Sequence, residues 1–434
     1  MTPPPPKVAF VGAGSVKFTA ELIRDMLHHP ELKDLSIALY DVDPDRLATA
    51  ERLARRTVEV MGARGAVEAH TDRRRALDGA AYVVNTVQVG MHAATLTDFD
   101  VPARYGLPQT IGDTLGIGGI FRALRTIPVL LDVAGDMADV CPEAWLLNYT
   151  NPMAMLCQAV STAHPELHVV GLCHSIQHTT RHLAELVGVP FEDITYLGAG
   201  MNHQSFILRF ERDGESLYPL LDERIAREPE LSRRARVEIY RRIGYFPTES
   251  GEHTVEYVPW FLRDAGERER LRIPVGEYVR RSERTQARYE RTRADVDAGW
   301  TIDTKPGVEY AAEIVHSIQT GQPRVIYATV RNDNLIDGLP EQVAVEVPCL
   351  VDDNGVLPVR VGALPPQCAA LNRSFANVCD LTVAAALEGR RDHVLHAAIL
   401  DPHTASTLTL DRIAALVDEM LEAHRGLLPE ALAA

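Results

Sequence analysis

The chain has 434 residues, 46% of them hydrophobic and 24% charged, which allows a large core and exceeds the usual size of a single domain. Its formal net charge of -16 excludes the broad basic surface that nucleic acid or an anionic membrane would need, so small neutral or metal-bound ligands are expected. Six cysteines, at 141, 157, 173, 349, 368 and 379, lack the tight repeated spacing of a disulfide framework and read as reduced thiols of a cytoplasmic protein.

The opening Met1-Thr2-Pro3-Pro4-Pro5-Pro6 is expected to be a frayed tail without an apolar signal region, and no apolar run is long enough to span a bilayer. Residues 7–11 are a short apolar strand, Gly12-Ala13-Gly14-Ser15 a turn, and residues 18–27 carry helical apolar spacing. A second strand over 36–40 ends at Asp41, and Pro44 opens an amphipathic helix. Strands follow over 67–70 and 81–87, the latter passing through Asn85. This alternation predicts an α/β fold with a Rossmann-type, doubly wound parallel sheet.

Residues 89–119 read as a loop rich in Gly, Pro and polar residues, and contain Ile111-Gly112-Asp113-Thr114-Leu115-Gly116. A helix over 121–137, a strand over 144–147, the turn Asn148-Tyr149-Thr150-Asn151-Pro152 and a strand over 168–172 lead to Cys173-His174-Ser175. Beyond residue 194 the pattern becomes antiparallel, with strands over 194–197 and 206–210 flanking Met201-Asn202-His203 and a hairpin signal at Arg212-Asp213-Gly214. The chain is therefore expected to divide into a nucleotide-binding domain, 1–195, and a mixed α+β domain, 196–434, serving substrate, metal and oligomerisation. Arg- and Glu-rich stretches over 229–242 and 263–297 read as solvated helix faces. A strand over 343–351 and helices over 374–387 and 410–424 close the chain.

Gly12 and Gly14 let the backbone approach a pyrophosphate, whose charge the following helix N-terminus stabilises, and Ser15 and Asn85 lie at neighbouring element ends. The third glycine of the usual fingerprint is replaced by Lys17. Asp41 is placed to accept hydrogen bonds from ribose hydroxyls, which favours NAD over NADP. Cys173 and His203 are candidate metal ligands, because soft sulfur beside nitrogen suits Mn, Fe, Co, Ni or Zn; read alone, a cysteine after a buried strand is more often an inert core residue and His203 a satisfied polar one. Asp113 is either a turn former or a catalytic carboxylate, and His253 either a solvated loop residue or part of a site.

Taken together, Gly12-Ala13-Gly14-Ser15 with Phe18, Asp41, the Gly112-Asp113-Thr114 run, Asn148 to Pro152, Cys173-His174-Ser175, Asn202-His203 and Pro247-Thr248-Glu249-Ser250 resemble glycoside hydrolase family 4. These are NAD- and metal-dependent glycosidases, an exception to two-carboxylate glycoside hydrolysis. The likeness runs through Leu364-Pro365-Pro366-Gln367 and Asn372-Arg373, so it covers nearly the whole chain. It implies an architecture like that of lactate and malate dehydrogenases. It also implies a redox elimination: NAD oxidises the sugar at C3, a base removes the C2 hydrogen, the glycosidic oxygen leaves C1, water adds and the hydride returns.

By the same resemblance, Cys173 and His203 hold the divalent metal, manganese first with iron, cobalt or nickel also suited. Asn151 and Asn202 meet the α-glycoside substrate, and His174 is the acid for the leaving group. The C2 base stays open among Asp113, His253 and Tyr257. Cys173-His174-Ser175 followed by Ile176 looks like the α-galactosidase branch, which acts on unphosphorylated sugars such as melibiose. An α-glucosidase or α-galacturonidase of the same family and an NAD-dependent 2-hydroxy acid dehydrogenase are the alternatives. Relatives imply a homodimer or homotetramer.

Overall fold

The computed structural model describes residues 5–299 and 301–433; residues 1–4 of the expected proline tail lie outside the described residues. Six strands, β1 (Lys7–Val11), β2 (Ser36–Tyr40), β3 (Val67–His70), β4 (Tyr82–Asn85), β5 (Trp145–Asn148) and β6 (His168–Gly171), stand side by side in the order β3-β2-β1-β4-β5-β6. All their pairings are parallel. This is the doubly wound Rossmann order, reversing between β1 and β4. Val8, Ala9, Phe10, Val83, Val84, Leu146 and Leu147 are wholly buried or nearly so, as strands covered on both faces require.

The first-half helices are α1 (Val16–His28), α2 (Pro44–Val60), α3 (Arg73–Leu77), α4 (Met91–Arg104), α5 (Gly116–Val140), α6 (Met153–Ala163) and α7 (Ser175–Val187). Asp43 starts α2: its carboxylate accepts from the amides of Asp45 at 3.0 Å and Arg46 at 3.1 Å, while Pro44 fills the first turn. Leu47, Ala50, Leu53 and Ala54 then fall on the buried face at helical spacing. Fully burying such side chains contributes about 1.5–3 kcal/mol each for the larger ones.

Residues 89–119 are not one loop. Helix α4 occupies their first half, although its apolar residues are poorly segregated and Pro102 lies inside it. The glycines that read as loop instead begin α5, where the loop before it passes very close. A Cβ at Gly118 would lie 2.3 Å from the Gly112 carbonyl oxygen, and one at Gly119 2.4 Å from the Thr114 carbonyl carbon. The irregular segment shrinks to residues 105–115.

The remaining strands are β7 (Thr195–Met201), β8 (Gln204–Arg212), β9 (Glu215–Ser216), β10 (Phe246–Pro247), β11 (Arg324–Arg331), β12 (Ala344–Asp352) and β13 (Gly355–Pro358). Strand β11 joins β6 antiparallel through Thr329 and Gly171, then pairs β12, which pairs β7 through Glu346 and Gly200. Among the described residues the thirteen strands thus form one mixed sheet that continues across residue 195. The helix Pro366–Glu388 packs on α5 and α6. The Arg-rich helix Glu277–Asp297 is largely exposed, as its composition predicts. All six cysteines are free; five are buried and Cys173 is partly exposed. Among the described residues no helix is long and apolar enough to cross a membrane.

Candidate active site

Gly12 follows β1 with φ of +86°, and its amide donates to the Tyr40 carbonyl at 3.0 Å. A Cβ there would come within 2.8 Å of the Val87 nitrogen, so only glycine fits this turn. Asp41, at the end of β2, accepts from the Gly14 amide at 2.6 Å and from the Asp43 amide at 2.9 Å. Ser15 is exposed at the start of α1. Beside the turn lies a cavity of about 220 Å³ lined by Gly14, Ser15, Phe18, Arg46 and Tyr289. Asn85 is fully buried at the end of β4 and donates to Asn148 Oδ1 at 2.8 Å, leaving its own Oδ1 without a partner. It ties β4 to β5.

Across the same carboxyl edge of the sheet, Cys173 follows β6, His203 sits in the turn between β7 and β8, and Glu249 follows β10. One ligand atom from each lies within 4.8 Å of the others. His203 adopts a left-handed φ of +68°, a conformation uncommon for a non-glycine residue. Its Nδ1 is 3.2 Å from the Thr114 hydroxyl and its Nε2 3.5 Å from Glu249 Oε2. Burial lowers its pKa to about 4, so the imidazole stays neutral with a lone pair to give. For Cys173, burial and then the Glu346 and Glu249 carboxylates push the thiol well above its ordinary range. A thiolate there needs a cation beside it. Sulfur, nitrogen and oxygen donors converging on one point fit a divalent transition metal.

The remaining predicted groups adjoin this cluster. Asp113 Oδ2 accepts from Asn151 Nδ2 at 3.1 Å, and its Oδ1 accepts from the Thr114 hydroxyl at 2.9 Å and lies 3.4 Å from His253 Nε2. Although burial opposes it, His253 holds the Asp113 carboxyl well below the usual carboxylate range. His253 Nδ1 in turn lies 3.9 Å from Glu249 Oε1. Against its own burial, the two carboxylates push its pKa up to about 10. Tyr257 is buried with no partner for its hydroxyl, its ring centroid 5.7 Å from that of His253, and burial raises the phenol well above its ordinary value.

His174 precedes α7, with Nε2 2.9 Å from Glu309 Oε2 but out of line for a hydrogen bond, and its ring stacks on those of His178 and Tyr310. Asn202 is wholly buried, its amide 3.4 Å from Glu346 Oε1 and its Oδ1 unpartnered.

Residues 7–189 match the family 4 glycosyl hydrolases, and residues 198–404 match the family 4 glycosyl hydrolase C-terminal domain. The chain is a family 4 glycosyl hydrolase. It is 39% identical over 430 residues to an α-galactosidase of Bacillus subtilis (strain 168), covering 98% of this chain and 99% of that one. An α-galactosidase of Rhizobium meliloti (strain 1021) is 34% identical, with 98% and 89% covered. Among solved structures, a 6-phospho-α-glucosidase from gut microorganisms in complex with NAD and Mn²⁺ superposes with a TM-score of 0.81 at 19% identity, over 98% of this chain and 99% of that one. The enzyme is therefore a glycosidase rather than a 2-hydroxy acid dehydrogenase.

Four acids of this glycosidase carry structure that local sequence reading missed. Glu249, third member of the donor cluster, lies four residues before His253, inside the Pro247 to Ser250 motif. Glu309 and Glu346 reach the site from a helix start and from β12, with no local pattern to mark them. Glu256 Oε1 accepts from the amides of Thr110 at 2.8 Å, Ile111 at 3.1 Å and Gly112 at 3.0 Å, fixing the loop that presents Asp113.

Proposed function

We propose that this glycosidase is a cytoplasmic α-galactosidase that cleaves terminal, unphosphorylated α-galactosides with NAD and a divalent metal, manganese foremost, and works as a homodimer or homotetramer. The convergence of Cys173, His203 and Glu249 donors beside Asp113 and His174 carries the metal-dependent reading. The choice of galactose draws on the identity to two α-galactosidases and on Ser175 after the cysteine-histidine pair. Free, mostly buried thiols suit a reducing compartment.

Cys173, His203 and Glu249 would hold the metal, while Gly12, Gly14, Ser15 and Asp41 would hold NAD, whose pyrophosphate the tight turn before α1 suits. When bound, NAD supplies reversible hydride transfer and the cation supplies Lewis-acid stabilisation of negative charge on sugar oxygens. Asn151 orients the sugar, and Asp113, hydrogen-bonded to it, is the group we assign to take the C2 proton. His253 beside Asp113 compensates its charge, and Tyr257 closes the buried wall behind His253. His174 delivers a proton to the departing glycosidic oxygen, its Nε2 lying 2.9 Å from Glu309 Oε2. Asn202, turned toward Glu346, shapes the turn that aims His203. Residues 1–195 carry the cofactor groups, and residues 196–434 add His203 and Glu249 and close the sugar site.

The test is turnover with NAD, Mn²⁺ and a reductant on p-nitrophenyl α-galactoside, α-glucoside and α-galacturonide. Nitrophenol released chiefly from the galactoside supports the assignment. Preference for either of the others moves it to the α-glucosidase or α-galacturonidase alternative, and binding without any turnover contradicts it.

A further inference from the structure

Beyond the loop that carries Glu249 lies a cavity of about 350 Å³ whose wall holds Arg233, Arg234, Arg236 and Arg272 together with Glu230 and Glu252. Four guanidinium groups around one hollow stand out on a chain of net charge -16. The two acids do not neutralise them all. Glu252 pairs with Arg281 outside the cavity at 2.6 Å, and Glu230 serves Arg272 at 2.8 Å and Arg233 at 3.6 Å. Among the described residues no carboxylate pairs with Arg234 or Arg236.

Arg236 is drawn inward with no carboxylate in contact with it, the Glu249 and Glu252 carboxylates acting on it from farther off. Its Nη1 donates to the Thr179 hydroxyl at 2.9 Å and its guanidinium lies 5.2 Å from the Phe246 ring centroid. Burial lowers its pKa from the ordinary value, a shift that the Glu249 and Glu252 carboxylates oppose. Thr179 donates to the Thr248 carbonyl, immediately before Glu249, so the cavity is wired to the metal-side loop from behind.

We propose that this cavity binds a phosphate group, either free orthophosphate or a phosphomonoester, at a place separate from the nucleotide turn and the sugar site. Arg234, Arg236 and Arg272 all line the cavity, and guanidinium donors suit an anion with several acceptor oxygens, while the volume admits a small organic group behind it.

Equilibrium dialysis or calorimetry on the full chain, saturated with NAD and Mn²⁺, tests this with inorganic phosphate in one arm and glucose 6-phosphate in the other. Saturable binding at or below about 1 mM is expected, weakened at least about tenfold in the Arg234→Ala/Arg272→Ala double variant. Both side chains are on the surface, and thermal melting and NAD binding of the variant should match the parent. Should the alanines prove unstable, Arg234→Gln/Arg272→Gln gives the same reading. Tighter binding of one probe identifies the source of the phosphate. Absence of saturable binding, or binding that the double variant retains in full, overturns the proposal. Turnover is not the readout, so the outcome is independent of the galactosidase assignment.

Discussion

Cys173 illustrates how one side chain changes meaning with its surroundings. After a buried strand a cysteine is usually an inert core thiol, and burial does hold this one protonated. Only a cation gathered by Cys173, His203 and Glu249 together would give it a reason to ionise, since the Glu249 carboxylate alone pushes the thiol further up. Replacing Cys173 with serine is predicted to lower metal-dependent turnover by about 10²-fold or more while leaving NAD affinity within a factor of about three, read from kinetics against Mn²⁺ and from NAD titration. Glu249→Gln keeps the shape and removes one anionic donor. It should weaken Mn²⁺ binding by about 10–100-fold in calorimetric titrations, and unchanged affinity would remove Glu249 from the ligand set. The ligand roles of Cys173 and His203 were visible in the sequence, whereas Glu249, though inside the Pro247 to Ser250 motif, had no spacing to those two that would mark it as a third donor.

The element that decides the site is the segment 105–115, which carries Asp113 and is buried over most of its length. Buried backbone must find partners, and this segment finds them at a distance. Glu256 collects three of its amides, Gln109 donates to the Asp98 carbonyl at 2.6 Å and accepts from the Gly118 amide at 3.0 Å, and His403 Nε2 meets the Pro108 carbonyl. Removing the acceptor with Glu256→Ala strands those amides, and is predicted to destabilise the fold by about 2–4 kcal/mol and to speed hydrogen exchange at Thr110, Ile111 and Gly112.

His403 gives this element a pH dependence. Burial lowers its pKa from 6.5 to about 4, so between those values the unfolded chain binds more protons than the folded one. Its contribution is therefore fully present above about 6.5 and is lost as pH falls toward 4. Melting midpoints measured in that window should fall more steeply for the parent than for His403→Gln; parallel slopes would contradict the assignment. Sequence periodicity shows β1, α1 and α2 well, because their burial follows local spacing. It loses α4, whose apolar residues are scattered around the helix, and mistakes the close-packed glycines of α5 for loop.

At the scale of the whole molecule, the parallel half of the sheet was legible because strand, turn and helix alternate in the chain. In the antiparallel half the β7–β8 pair, the hairpin after Arg212 and strand β12 were also legible from local pattern, but the long-range pairing of β11 was not. Strand β11 lies more than a hundred residues from its partner β6 in sequence, yet it joins the two halves and, through β12, brings Glu346 beneath the His203 turn. One continuous sheet thereby places the glycine turn after β1 and the donor cluster after β6 on the same edge, where doubly wound folds bind ligands. That shared edge is what a glycosidase needs if its chemistry at C1 depends on opening the C2–H bond.

Hydrolysis of p-nitrophenyl α-galactoside in deuterated water, with NAD and Mn²⁺ present, tests this most directly. The released galactose should carry deuterium at C2, visible by NMR and mass spectrometry. Product with its C2 hydrogen untouched would contradict the redox-elimination account.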